Sequence, residues 1–484
     1  MLESTLHRYM MTESSAIIIT ITLIALLLGQ AVFPVVILLP KYIPNNLKIS
    51  SPQTTTNSDP LSLADGQQQL PTVKDPNLTL QLVVSGLQNP TSMEFIGPND
   101  ILVLSKNDGK VLRITDGVML KQPLLDVEVA NLVERGMLGI AIAKNDEGPT
   151  YVFIYFTESK EDGDDARYDA VPLGARLYRY ELTNETLQNG KLLIDVPAIR
   201  GGSHIGGKVL IGPDNNVYLV VGDIASHHTR AQNYLNGSFP IGTSVIWRIN
   251  QDGYSAGAIL GTEEPINKFY AYGIRNSFGM DFDPITGKLW DTENGPEFGD
   301  EVNVVEPGFN SGWKAITGLP NNNNIQQFDA DKELVKCLYC TAQATAPWYF
   351  GIIDWAVKNI LGVRDGTYSD PELTFSQTTA PTALKFLNSD KLGKQYENDI
   401  FIGDIIYGNL YHFELNENRD ALFLNGSLSD KSADSLIEIQ SHIFAQGFKG
   451  ITDIKVGPDG YLYILTYERP GGEGTIYRII PRNV

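Results

Sequence analysis

The sequence predicts an all-β chain: a six-bladed β-propeller carried behind an N-terminal transmembrane helix and a linker. Three observations predict it. A turn followed by an apolar strand recurs six times beyond residue 78. Few helical patterns separate the copies. The one long uncharged run lies at the N-terminus, ahead of all of them.

Residues 16–39 (AIIITITLIALLLGQAVFPVVILL) carry no charge and are long enough to cross a hydrocarbon core of ~30 Å. Arg8 and Glu13 flank the run with opposite charges, so orientation is weakly specified. The Gly29-Gln30-Ala31 triplet offers the small residues that signal cleavage needs. Residues 1–40 are therefore expected to anchor the chain or to export it. Residues 41–77 are rich in Ser, Thr, Pro, Asn and Gln, with little to bury, and read as a flexible linker.

Residues 78–484 hold the repeat. Its copies start at Gly97 (GPNDILVLSKNDGKVLRI), Glu147 (EGPTYVFIYFTE), Gly212 (GPDNNVYLVVGD), Asp283 (DPITGKLWDTENG), Glu397 (ENDIFIGDIIYGNLYHFEL) and Gly457 (GPDGYLYILTYERPGGEGTIYRI). One strand–turn–strand unit cannot bury both its faces, so the copies are expected to stack around an axis. The longest insertion, residues 314–371, holds Cys337-x-x-Cys340 and the aromatics Trp348, Tyr349, Phe350 and Trp355. In an exported chain the two cysteines are expected to form a local disulfide. Sequons at Asn77, Asn184, Asn236 and Asn425 agree with export.

A net charge of −20 repels phosphate backbones and argues against nucleic acid as a partner. The chemistry is expected in two glycine-rich segments. His204 lies between Gly201-Gly202 and Gly206-Gly207, and the strand that follows ends at Asp223; a histidine oriented by a carboxylate is a general-base arrangement. Arg275-Asn276 sits on a turn suited to an anion or a polar ring edge. Further on, Glu293-Asn294-Gly295-Pro296 and Gly299-Asp300-Glu301 combine a tight turn with the hard oxygen donors that Ca²⁺ takes. His227-His228 invites a metal reading, although neighbours on a strand face opposite ways. His412 and His442 read as structural.

The stretches ERGMLGIAIA from Glu134, HIGGK…GPD…GD over 204–223, GIRN…ENGP…DEVN…GFNSGW over 273–313 and ITDIKVGPDGYLYIL from Ile451 resemble the soluble quinoprotein glucose/sorbosone dehydrogenase family, in the same order, over about residues 80–482. The resemblance implies an enzyme that uses pyrroloquinoline quinone (PQQ) and Ca²⁺ to oxidise the C1 hydroxyl of an aldose or polyol. It makes His204 the base, Asp223 its orienting carboxylate and Arg275 the cation over the quinone. It also places Glu134, Asn276 and Asn294 in the cofactor site, and Gly295, Pro296, Asp300, Glu301 and Ser311 at or beside calcium positions. The chain departs from the pattern at four places. Glu134 replaces a glutamine, and Ile406, Gly450 and Thr452 fall where the family carries cations. Lys208, Arg230, Lys449 and Lys455 are possible substitutes. The departures keep a second reading open, a quinone-free calcium-binding propeller that binds carbohydrate or protein at the cell surface. A calcium-dependent lactonase-like hydrolase is a third.

Overall fold

The computed structural model describes residues 70–482 except 146–147, 199, 226–227, 235–236, 315, 320–365 and 469–471. The expected transmembrane segment, most of the linker, the Cys337/Cys340 pair, the aromatic cluster 348–355, His227 and the Asn236 sequon lie outside the described residues. Among the described residues no helix is long and apolar enough to cross a membrane.

The described strands fall into six sheets. Innermost in each, in chain order, are Pro90–Gly97, Met137–Ala143, Gly206–Ile211, Ser277–Phe282, Pro381–Phe386 and Ile451–Val456. Each of these packs against the innermost strand of the next sheet, and the last returns to the first. The architecture is an all-β propeller. The repeats read from the sequence all start at the turn between an innermost strand and its neighbour, so the periodic signal marks one recurring corner.

The second strands are not the half-exposed alternating type that the repeat suggests. Ile101–Leu104, Val152–Phe156 and Val217–Val221 are buried at every position. The reason is that each sheet is sandwiched between two others, so both its faces are dry. Six apolar clusters fill the seams. One joins Phe153 and Leu177 of the second sheet to Val217 and Trp247 of the third. Another joins Tyr463 and Leu465 of the sixth to Phe95 and Ile101 of the first, across the point where the chain ends meet.

The ring is closed by hydrogen bonding between two distant strands. The strand Leu78–Gln88 pairs antiparallel with Glu473–Pro481 and completes the last sheet, so opening the ring means unzipping an eleven-residue strand. Ahead of it, Thr72–Val73 already pairs with Ile443–Gln446. With closed connections the loops that enter innermost strands and leave second strands gather at one end of the axis. That end carries the site.

Candidate active site

His204 lies two residues before the strand Gly206–Ile211, in the left-handed region at φ +59°. A side chain rarely adopts this conformation without surrounding support. Here the support is dense. His204 N donates to Glu134 Oε2 at 2.6 Å, and its carbonyl accepts from Ile224 N at 3.1 Å. Gly222 lets the two loops touch: a Cβ there would lie 2.3 Å from His204 O and 2.7 Å from Arg275 O.

The imidazole and the carboxylate meet as expected. His204 Nδ1 is 2.7 Å from Asp223 Oδ1. Asp223 also accepts from Ala225 N through Oδ1 and from Trp313 Nε1 through Oδ2, both at 2.7 Å. Burial alone would raise the Asp223 pKa, but the bonds from His204, Ala225 and Trp313 outweigh it and hold it below the usual carboxylate range. An ionised Asp223 can only accept, so in the neutral imidazole Nδ1 carries the proton and Nε2 the lone pair. Among the described residues Nε2 has no partner, and the side chain keeps 20% of its surface accessible, enough for a ligand to reach it.

Arg275 precedes the strand Ser277–Phe282. Its NH1 donates to Asn294 O at 2.7 Å and its Cζ lies 5.3 Å from the centre of the Trp313 ring. Among the described residues its buried Nε has no hydrogen-bond partner, and neither has the buried Oδ1 of Asn294. Burial lowers the Arg275 pKa despite the charges of Asp223 and Glu134. Asn276 ties the ring of loops together, donating to Glu134 Oε2 at 3.1 Å and accepting from Gly206 N at 3.1 Å. Glu134, His204, Asp223, Arg275, Asn276 and Asn294 thus form one connected network.

The network borders a cavity of about 510 Å³ whose wall includes Glu134, Asn294, Lys106, Lys208, Thr382 and Thr452. Lys106 was not singled out in the sequence. Its position offered a signal: it follows the second strand Asp100–Ser105 just as Asn294 follows Leu289–Glu293.

Behind Arg275 lies a set of buried acids. Arg275 N donates to Glu293 Oε1 at 2.7 Å, and Ser311 Oγ lies 2.7 Å from Glu293 Oε2 and 3.2 Å from Glu301 Oε2. One hydroxyl proton cannot serve both. Burial, with the nearby Glu301 and Asp291 charges, pushes Glu293 well up; burial brings Asp291 to about 7 and Glu301 to about 8. Among the described residues Asp291 Oδ2 has no hydrogen-bond partner. Asp300 has a different task. Its Oδ1 accepts from Gly295 N at 2.8 Å and its Oδ2 from Thr379 N and Ala380 N at 2.7 Å, so it shapes the Asn294–Pro296 turn. Among the described residues no three His, Cys, Asp or Glu side chains are arranged to cage a metal. His228 packs on Tyr234 at 4.6 Å; His412 bonds Asp399 at 2.8 Å and His442 bonds the His412 carbonyl at 3.3 Å.

The fold and the site define a propeller whose axial cavity is met, at Glu134 and Asn294, by a network that holds a histidine–carboxylate pair and a buried arginine; His204, Asp223 and Arg275 themselves are not part of the cavity wall. The model of the glucose/sorbosone dehydrogenase family matches residues 87–352 and 359–478, and the chain belongs to that family. Quinoprotein glucose dehydrogenase B of Acinetobacter calcoaceticus is 24% identical, over 82% of this chain and 87% of its own. An aldose sugar dehydrogenase of Escherichia coli is 22% identical, over 84% and 94%. The PQQ-bound aldose sugar dehydrogenase of Streptomyces coelicolor superposes with a TM-score of 0.56 at 19% identity, over 85% and 99%. These three relatives are named as sugar dehydrogenases.

Proposed function

We propose that this chain is a six-bladed, PQQ- and calcium-dependent sugar dehydrogenase that oxidises the C1 hydroxyl of aldoses. The observation that carries the reading is the 2.7 Å contact between His204 Nδ1 and an ionised Asp223, which leaves a lone pair on Nε2 in a network that reaches the cavity through Glu134 and Asn294 and holds orphaned polar atoms. Those atoms, Arg275 Nε and Asn294 Oδ1, are a donor and an acceptor awaiting a polar ligand, and a quinone ring edge offers both. Bound quinone would supply the acceptor for the hydride that leaves C1. The residues do the rest. Nε2 of His204 takes the hydroxyl proton as C1 is oxidised, a role worth ~10²–10⁴-fold in rate. Asp223 holds the tautomer and stabilises the imidazolium. Arg275, buried and cationic, offsets negative charge on the ligand's oxygens.

For calcium, the donors in this reading are the carbonyls of Gly295 and Pro296, on the turn that Asp300 pins. The uncompensated acids Asp291, Glu293 and Glu301 favour a cation nearby. The uncharged run 16–39 and the exposed sequons Asn77, Asn184 and Asn425 support a propeller held outside a membrane or secreted.

One observation favours the second reading. Of the three positions at which the resemblance expects cations, Thr452 lines the cavity and carries no charge, and Ile406 and Gly450 are not part of its wall. The experiment is a titration of the purified full chain with PQQ and Ca²⁺, followed by absorbance and by dye-linked oxidation of a panel of aldoses. Saturable binding and sugar-dependent dye reduction are expected. An unchanged quinone spectrum, with no dye reduction, rejects the dehydrogenase and leaves the binding module.

A further inference from the structure

We infer that Lys106 is the cation that holds a carboxylate of the quinone, taking over from the positions at 406, 450 and 452 where this chain carries no charge. The inference rests on the dehydrogenase reading. It starts from what has become of the other cations. Lys208, on the cavity wall, is bound to the fully buried Asp453 at 2.5 Å, and Asp453 also accepts from Ser92 Oγ and Met93 N at 2.9 Å. Lys455 is paired with Glu94 and Lys449 with Glu468. Arg230 lies over the Phe239 ring at 5.4 Å and is not part of the cavity wall. None of these has charge to spare at the cavity.

Lys106 does. It lines the cavity, and among the described residues it has no ion-pair partner. Its Nζ donates to Asn131 O at 3.1 Å and Arg135 O at 2.8 Å. An ammonium has three donors, so one remains. The two carbonyls hold the group in place without neutralising it, as a binding cation requires. The nearby carboxylate, Glu134, has its Oε2 taken by His204 N, Ile205 N and Asn276 Nδ2, which holds it against the loops. Burial brings the Lys106 pKa down to about 8, with the Glu134 charge opposing. An ammonium desolvated that far, with no ion-pair contact, is stabilised when an anion arrives.

The test is PQQ binding by the full chain in calcium, read by absorbance or fluorescence titration rather than turnover. Lys106→Met is expected to weaken binding about 10- to 100-fold, the range for losing one charge-assisted bond to a carboxylate. Lys106→Arg is expected to stay within about threefold of wild type. Wild-type affinity is expected to fall as pH rises through about 8, while Lys106→Arg, whose cation does not titrate there, holds level. A purely structural lysine, tying the 131–135 loop to its strand, would lower thermal stability in both variants without this affinity and pH pattern. Wild-type binding with an unchanged Lys106→Met constant overturns the inference and leaves the dehydrogenase standing. No binding by wild type removes both. Glu134→Gln supplies a second variant that keeps an oxygen acceptor for the three donors. Removing its negative charge is expected to tighten PQQ binding, and a loss of affinity would count against an anion at this wall.

Discussion

Replacing Asp223 by asparagine tests the reaction centre most directly. Three donors converge on this carboxylate at 2.7 Å, from His204, Ala225 and Trp313. An amide offers one oxygen, so its NH₂ group must face a donor. If it faces the imidazole, Nδ1 becomes the acceptor and Nε2 takes the proton, which removes the base. If it faces Trp313, a buried N–H loses its acceptor. A hydrogen bond to a charged group contributes about 1.5–3 kcal/mol. At roughly 1.4 kcal/mol per decade, losing the His204 bond predicts a fall in kcat of about one to two decades, with KM for the sugar changed little. The assay is single-turnover reduction of bound quinone after mixing with aldose, alongside ¹⁵N NMR of the imidazole to identify the tautomer. If Asp223→Asn keeps the wild-type tautomer and a kcat within about threefold, the carboxylate neither orients nor activates His204, and the mechanism is wrong.

Two further outcomes follow from the buried groups. Asp291 at about 7 and Glu301 at about 8 hold protons in the folded state that the unfolded chain releases near pH 4. Without calcium the stability from these two groups is full below about pH 4 and is lost as pH rises to about 8. Calcium should therefore raise Tm more at pH 8 than at pH 5; equal shifts measured by calorimetry would detach the ion from these acids. Gly222→Ala would put a methyl 2.3 Å from His204 O, against backbone that cannot swing aside. Overpacking of this kind costs about 1–3 kcal/mol, so thermal unfolding should move down and activity should go with it. An unshifted Tm with full activity would show that the two loops are looser than drawn.

Much of the fold was legible because a propeller repeats itself. The turn after each innermost strand needs Gly, Asn, Asp or Pro, and the strand that follows is apolar, so the corner is written six times. The strand Leu78–Gln88 was harder to assign. Its partner, Glu473–Pro481, is nearly four hundred residues away, and no local pattern announces such a closure. In the site, the glycines around His204 and the strand ending at Asp223 were readable as two loops able to meet. Trp313 as the third donor to Asp223, and Glu293 under the Arg275 backbone, were not, because nothing in their neighbourhoods states which carboxylate or amide they face.

The sequence by itself determined the class of chain, the repeat, the segment on which the imidazole lies and the family whose pattern it carries. These depend on local chemistry: turn residues, apolar runs and motifs held within a few tens of positions. Only the tertiary structure decided which charges are free. Lys208, Lys455 and Lys106 look alike as letters, yet two are neutralised by carboxylates brought from other sheets and one is left bare at the axis. Whether a buried cation is spent depends on what lies within about 4 Å of it, and a closed ring of sheets sets that by bringing distant strands together.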